Sequence, residues 1–95
     1  MKRELVSTTK FEKSFKKFVR SYPYLQKSIS NSLKLMEDDL FSTKLSTHKL
    51  SGDLFGLSAC SCGYDCRIIF TIRKNNETNE EIILLLDIGT HEEVY

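Results

Sequence analysis

Long apolar runs are missing from this 95-residue chain. Nothing approaches the roughly 20 consecutive apolar residues of a membrane-spanning helix, so none is expected. The opening Met-Lys-Arg-Glu-Leu-Val carries charge but no apolar core. No secretory leader is therefore expected, and the cytoplasm is the expected compartment. Cysteine is scarce and odd in number, with Cys60, Cys62 and Cys66 clustered together. A small secreted scaffold usually carries an even set spread along the chain. The Cys-x-Cys-x-x-x-Cys spacing also differs from the paired ligands of common zinc sites. Reduced thiols in or beside a strand are expected, where Cys behaves as a small hydrophobe. There is no P-loop, glycine-rich dinucleotide fingerprint, Ser-His-Asp order or His/Cys metal spacing. Repeats and low-complexity segments are absent too.

What is present suits one folded domain spanning 1–95, with 40% hydrophobic and 28% charged residues. The net charge of +1 hides a split. Residues 1–50 hold 11 Lys/Arg against 5 Asp/Glu, a balance of +6. Residues 51–95 hold 3 against 8, a balance of −5. A basic half on a near-neutral protein suits a polyanion, nucleic acid first. Lysine-rich solvated helices are the plainer alternative.

Residues 2–7 read as a short strand at or near a sheet edge. Thr9-Lys10-Phe11-Glu12 fits a capping box, with the hydroxyl at the N-cap and Glu at N3. The helix it opens aligns Phe11, Phe15, Phe18, Val19 and Tyr22 on one stripe, and Lys10, Lys13, Lys16, Lys17 and Arg20 on the other. Pro23 suits the first turn of a second helix, whose stripe is Leu25, Ile29, Leu33, Met36 and Leu40. Together they predict an αα-hairpin. Residues 41–53 lack a period and read as a loop carrying His48 and Lys49. Leu54 to Cys62 is the next expected strand, Gly63-Tyr64 a hairpin turn, and Asp65 to Arg73 its partner. Cys66, Ile68, Phe70 and Ile72 then share one face, and Asp65, Arg67, Ile69, Thr71 and Arg73 the other. Ile82 to Leu86, apolar throughout, suits a strand in mid-sheet. The order β-α-α-β-β-β predicts an α+β fold, a mainly antiparallel sheet with a helical hairpin packed on one face.

Chemistry concentrates where these strands would meet. Asp65 and Arg67 share a face, His91 leaves the end of the last strand, Tyr95 follows, and His48 and Lys49 come from the loop. Arginine binds phosphate through its planar fork and stabilises charge developing on it. Histidine gives or takes a proton near neutrality, and Asp65 would orient or assist. The set suits RNA cleavage without a metal, in which the adjacent sugar hydroxyl attacks the phosphate. Each member also has a plainer reading: Asp65 as a turn residue, Arg67 as a cross-strand partner of Asp65 or Asp87, His48 as a surface loop residue, and His91 in a solvated end.

Three blocks carry a family resemblance: Leu50-Ser51-Gly52-Asp53-Leu54-Phe55-Gly56-Leu57, Gly63-Tyr64-Asp65-Cys66-Arg67-Ile68-Ile69-Phe70, and Leu84 through Asp87-Ile88-Gly89-Thr90-His91 to Tyr95. In this order, behind an amphipathic hairpin, they resemble the RelE/ParE toxin superfamily, nearest the RelE/YafQ-like mRNA interferases of bacterial toxin–antitoxin pairs. The resemblance implies a microbial-ribonuclease-like fold and metal-independent cleavage of mRNA on the ribosome, with no cofactor. It also implies a cognate antitoxin partner, and a free toxin that is monomeric but hetero-oligomeric with its antitoxin. By resemblance, His91 matches the general acid, Arg67 the phosphate-binding Arg, Asp65 the strand Asp, Tyr95 the C-terminal aromatic that stacks near the cleaved nucleotide, and His48 the His before the Leu-x-Gly block. Lys10, Lys13, Lys16, Lys17, Arg20 and Lys49 are the candidate RNA- and ribosome-binding set. The chain departs from the YafQ pattern at Cys60-Ser61-Cys62, where a further His is usual. It departs from the RelE pattern in its acidic second half. Two other functions stay open: a ParE-like gyrase inhibitor, and an inert antitoxin-binding module.

Overall fold

A computed structural model describes residues 2–95. Its strands are β1 (Glu4–Ser7), β2 (His48–Lys49), β3 (Ser58–Gly63), β4 (Cys66–Lys74) and β5 (Glu81–Gly89), and its helices are α1 (Thr9–Ser21), α2 (Gln26–Asp38) and α3 (His91–Val94). They form one sheet in the order β1-β5-β4-β3-β2. Among the described residues only β1 and β5 pair in parallel; the remaining neighbours are antiparallel. The α+β architecture and the helical hairpin on one face match the expectation. So does β5 in mid-sheet with β1 at the edge.

The helices are held by the stripes their sequence carries. Phe11 and Phe18 of α1, with Ile29 and Met36 of α2, pack on Ile68, Phe70, Ile83, Leu85 and Ile88 of the sheet. α1 is capped by Thr8, one residue earlier than the Thr9 box predicts. The Thr8 hydroxyl accepts from the Phe11 N–H at 3.1 Å and donates to the Leu85 carbonyl at 2.9 Å. The Thr8 N–H reaches the same carbonyl. Strand pairing therefore ends on the residue that starts the helix, a position the local pattern did not reveal. Pro23 opens a 3₁₀ turn, Pro23–Leu25, which runs into α2.

The loop expected over 41–53 is more structured than its lack of period suggests. It holds a 3₁₀ turn at Thr43–Leu45 and then β2, which pairs His48 with Ala59 and Lys49 with Ser58. The strand expected from Leu54 begins only at Ser58. Gly52–Leu54 is a 3₁₀ turn, and Gly56 sits at φ +94°, a left-handed conformation that breaks an extended run. β5 reaches beyond Leu86 to Gly89 through a bulge. Phe70 pairs with Leu85 and Ile69 with Asp87, leaving Leu86 as the extra residue. The bulge returns Ile88 to the core face and leaves Asp87 on the other.

The cysteine expectation is corrected. Cys62 and Cys66 form a disulfide, and only Cys60 is a free, buried thiol. The hairpin turn falls at Tyr64–Asp65, so β4 begins at Cys66 and not at Asp65. A register shift at Cys62 then sets two cysteines on the same face of neighbouring strands, with Cα atoms 5.0 Å apart. Gly63, at φ +139°, allows α2 to lie against this corner, since a Cβ there would come within 3.0 Å of the Ser28 hydroxyl oxygen. That hydroxyl donates to the Cys62 carbonyl at 2.8 Å.

Candidate functional site

The sheet face away from the helices ends in a small structured corner built by α3. This single turn was not expected, yet its signal, Thr90-x-x-Glu93, is a capping box in the sequence. The Thr90 hydroxyl accepts from the Glu93 N–H at 3.3 Å, and a Glu93 carboxylate oxygen accepts from the Thr90 N–H at 2.8 Å. Gly89 lets the turn fold back closely, because a Cβ there would lie 3.1 Å from Glu93 and Val94 side-chain atoms.

His91 is the first helical residue of that turn. Its backbone N–H donates to Asp65 Oδ1 at 3.0 Å, tying the turn to the β3–β4 hairpin. Its ring meets the Tyr95 ring edge-on, with centroids 4.5 Å apart and planes at 89°. Tyr95 stays 40% exposed. Its phenol is pushed above the usual tyrosine pKa by partial burial, against the opposing pull of the Arg67 charge. Arg67 is thus close enough for Tyr95 to feel its charge.

Arg67 lies in a register row between Ser61 on β3 and Gly89 on β5. Its Nη1 donates to the Cys66 carbonyl at 2.9 Å, and no ion pair engages the guanidinium among the described residues. The cross-strand pairings to Asp65 or Asp87 do not form. Asp87 pairs instead with Lys10 at 3.5 Å, with the lysine exposed and the carboxylate partly buried. β1 stops at the Leu85 row, so the edge of β5 beyond it is uncovered and Lys10 reaches round to Asp87. Ser61 is the neutral neighbour of Arg67 that sequence reasoning did not single out. Its signal is the alternation of β3 itself, which sends Cys60 into the core and Ser61 to the site face.

His48 shares the site face, since its row runs His48, Ala59, Ile69, Asp87. It stands two strands from β4, about 10 Å across the sheet. Its Nδ1 lies 2.9 Å from the Ser46 carbonyl, which obliges Nδ1 to donate and leaves Nε2 as the acceptor of the neutral ring. Lys49 falls in the row of Ser58 and Phe70, the core side, so the structure does not bring it to the site. Lys13, Lys16, Lys17 and Arg20 are exposed on α1; Lys17 lines a cleft of about 160 Å³ with Asp87, Glu93 and Val94, on the α1 side of the α3 turn. Between the rows of His48 and Arg67 and the start of α1 lies a mostly apolar cleft of about 440 Å³. Leu54, Leu57, Ile69, Leu86 and Val94 wall it, with Lys10 and Asp87 also lining it.

The Cys60 thiol, buried in the core, is pushed by burial to about 12 and is no nucleophile at neutral pH. Among the described residues, no three His, Cys, Asp or Glu side chains gather as a metal site, and no helix is long and apolar enough to cross a membrane.

The corner therefore gathers an imidazole, a phenol and a carboxylate beside the strand end that carries the Arg67 guanidinium, with a second imidazole at the far edge of the Arg67 face. The family model described as "Bacterial toxin of type II toxin-antitoxin system, YafQ" matches residues 3–95. YafQ from Escherichia coli BL21(DE3) has a similar structure, with a TM-score of 0.77 at 13% identity over 98% of each chain. A copper-bound point mutant of a toxin from Helicobacter pylori gives 0.73 at 20% identity over 100% of each chain. A YoeB/ParE toxin from Agrobacterium tumefaciens gives 0.72 at 14% identity, over 93% of this chain and 98% of the other. At such identities these structures establish the fold alone. No curated protein sequence matches the chain.

Proposed function

The chain belongs to the YafQ family of toxins from bacterial type II toxin–antitoxin systems, and from that premise we propose that it is an endoribonuclease that cuts mRNA on the ribosome. The observation that carries this reading is the corner itself. His91, held by Asp65 through its N–H and met by the Tyr95 ring, follows two residues after Gly89, the strand partner of Arg67.

In the proposed reaction the ribose 2′-hydroxyl attacks the adjacent phosphorus. A 2′,3′-cyclic phosphate forms and the 5′-oxygen leaves. Arg67, free of a carboxylate partner, binds the phosphate and stabilises the charge gathering on its oxygens. His91 enters as the imidazolium and protonates the leaving 5′-oxygen. Solvent takes the 2′-hydroxyl proton, because His48, on the far edge strand and in the row of Ile69 and Asp87, stands too far from His91 to share one phosphate with it. Tyr95, exposed and anchored on the His91 ring, stacks against a base beside the scissile bond. Protonation of the leaving oxygen and charge stabilisation come from side chains, so no metal is called on for either.

The basic stripe of α1 serves a different contact. Lys13, Lys16, Lys17 and Arg20 hold ribosomal RNA through phosphates, by shape and charge and not by sequence. Lys10 contributes less, being engaged by Asp87, and Lys49 lies off the site face. Work in the cytoplasm and control by a cognate antitoxin complete the proposal. An E. coli DinJ–YafQ toxin–antitoxin complex of similar fold supports the antitoxin. The free toxin is a monomer that forms a hetero-oligomer with it.

Controlled expression of the wild type and His91→Ala, with mapping of mRNA 5′ ends and DNA breaks, tests the reading. New mRNA ends with the wild type and none with His91→Ala are expected. Growth arrest with DNA breaks and no new mRNA ends would point to gyrase poisoning instead. Absence of arrest would point to an inert antitoxin binder.

A further inference from the structure

We infer that Asp65 is a positioning residue for His91 and takes no proton in the reaction. This deepens the ribonuclease reading and rests on it for its catalytic consequence.

The β4–β5 ladder runs Ile69 with Asp87, Ile68 with Ile88, and Arg67 with Gly89. Continuing that register by two residues sets Asp65 opposite His91. The backbone ladder does not extend there, because β4 begins at Cys66 and the chain turns into α3 after Gly89. The Asp65 side chain supplies the missing link, and its Oδ1 accepts the His91 N–H at 3.0 Å. That N–H belongs to the first turn of a helix and has no partner within it, so an acceptor there is worth a charge-assisted hydrogen bond.

Two further features hold the carboxylate in this task. Asp65 sits at φ +49°, a left-handed conformation that Asp and Asn tolerate better than most residues. The Cys62–Cys66 disulfide closes the turn that carries it. No ion pair links the Asp65 carboxylate to Arg67 or to the His91 ring among the described residues. Its hydrogen bond to the corner goes to backbone. Asp65 thus fixes where α3 starts, and with it the direction of the His91 ring and its edge contact with Tyr95.

The test compares Asp65→Asn with Asp65→Gly. Asparagine keeps the Oδ1 acceptor and tolerates the left-handed backbone but cannot serve as a base. Glycine accepts that backbone without strain and removes the acceptor. In the ribosome cleavage assay Asp65→Asn should stay within about threefold of wild type with an unchanged pH profile. Asp65→Gly should fall by about 10²-fold, the scale of a misplaced catalytic group. Hydrogen exchange of the His91 amide, followed by NMR, should be slow in wild type and Asp65→Asn and fast in Asp65→Gly. Loss of activity in Asp65→Asn equal to that in Asp65→Gly would overturn the inference and make the carboxylate a reacting group. Full activity in Asp65→Gly would overturn it too. If the wild type cleaves no RNA, the amide still decides. Faster exchange only in Asp65→Gly upholds the tether while the ribonuclease reading fails, and equal exchange in all three removes the tether.

Discussion

The two faces of β4 make the sharpest contrast in the molecule. Ile68 and Phe70 turn toward the helices and are fully buried. Arg67, between Cys66 and Ile68, turns the other way and is half-buried beside the α3 corner. One strand thus places a close-packed core and the Arg67 guanidinium a residue apart. The difference teaches that the site is held by the core without being part of it. Its geometry is completed by elements outside the regular sheet: the Tyr64–Asp65 turn, the α3 turn and the Lys10–Asp87 contact.

Substitutions on the two faces should separate stability from activity. Phe70→Ala should lower stability by about 3–5 kcal/mol, as for a large buried aromatic, read from the urea unfolding midpoint. Arg67→Ala should leave stability within about 1 kcal/mol of wild type and reduce mRNA cleavage by about 10²-fold in a ribosome assay. Equal loss of stability for both would erase the distinction between the faces. Replacing Cys62 and Cys66 together by serine should lower stability by about 2 kcal/mol, the scale for so short a closed loop. The circular dichroism spectrum should be unchanged. Removing Lys13, Lys16 and Lys17 should affect the core and the site least. For every phosphate no longer neutralised, the salt dependence of ribosome binding should flatten by about 1 in log–log slope. An unaltered slope would take the helical layer out of ribosome contact.

Much of the contrast was legible in the sequence. The alternation Cys66, Ile68, Phe70 against Arg67, Ile69, Thr71 set both faces of β4, and the stripes of Phe11, Phe18, Ile29 and Met36 set the side the helices cover. What escaped was decided by tertiary register. β2 is two residues long, too short to show a period, and exists because Ala59 and Ser58 offer an edge. The Cys62–Cys66 pair depends on where the turn falls, one residue beyond its expected place. Among the candidate site residues, His91 touches Asp65 and Tyr95, Arg67 lies in the last row of the neighbouring strand pair, and His48 shares the face of Arg67 but stands at the far edge of the sheet. The placement of Lys49 on the opposite side follows from the same two-residue strand. The α3 capping box was readable from Thr90 and Glu93, but a four-residue helix leaves no apolar period to draw attention to it.

The chemistry of the cut ends tests the central claim most directly. Purified ribosomes programmed with a defined mRNA are treated with the toxin, and the new termini are identified by mass spectrometry. A 2′,3′-cyclic phosphate on one fragment and a 5′-hydroxyl on the other are expected, with His91→Ala yielding neither. Fragments ending in a 3′-hydroxyl and a 5′-phosphate would contradict attack by the ribose hydroxyl and the roles given to His91 and Arg67.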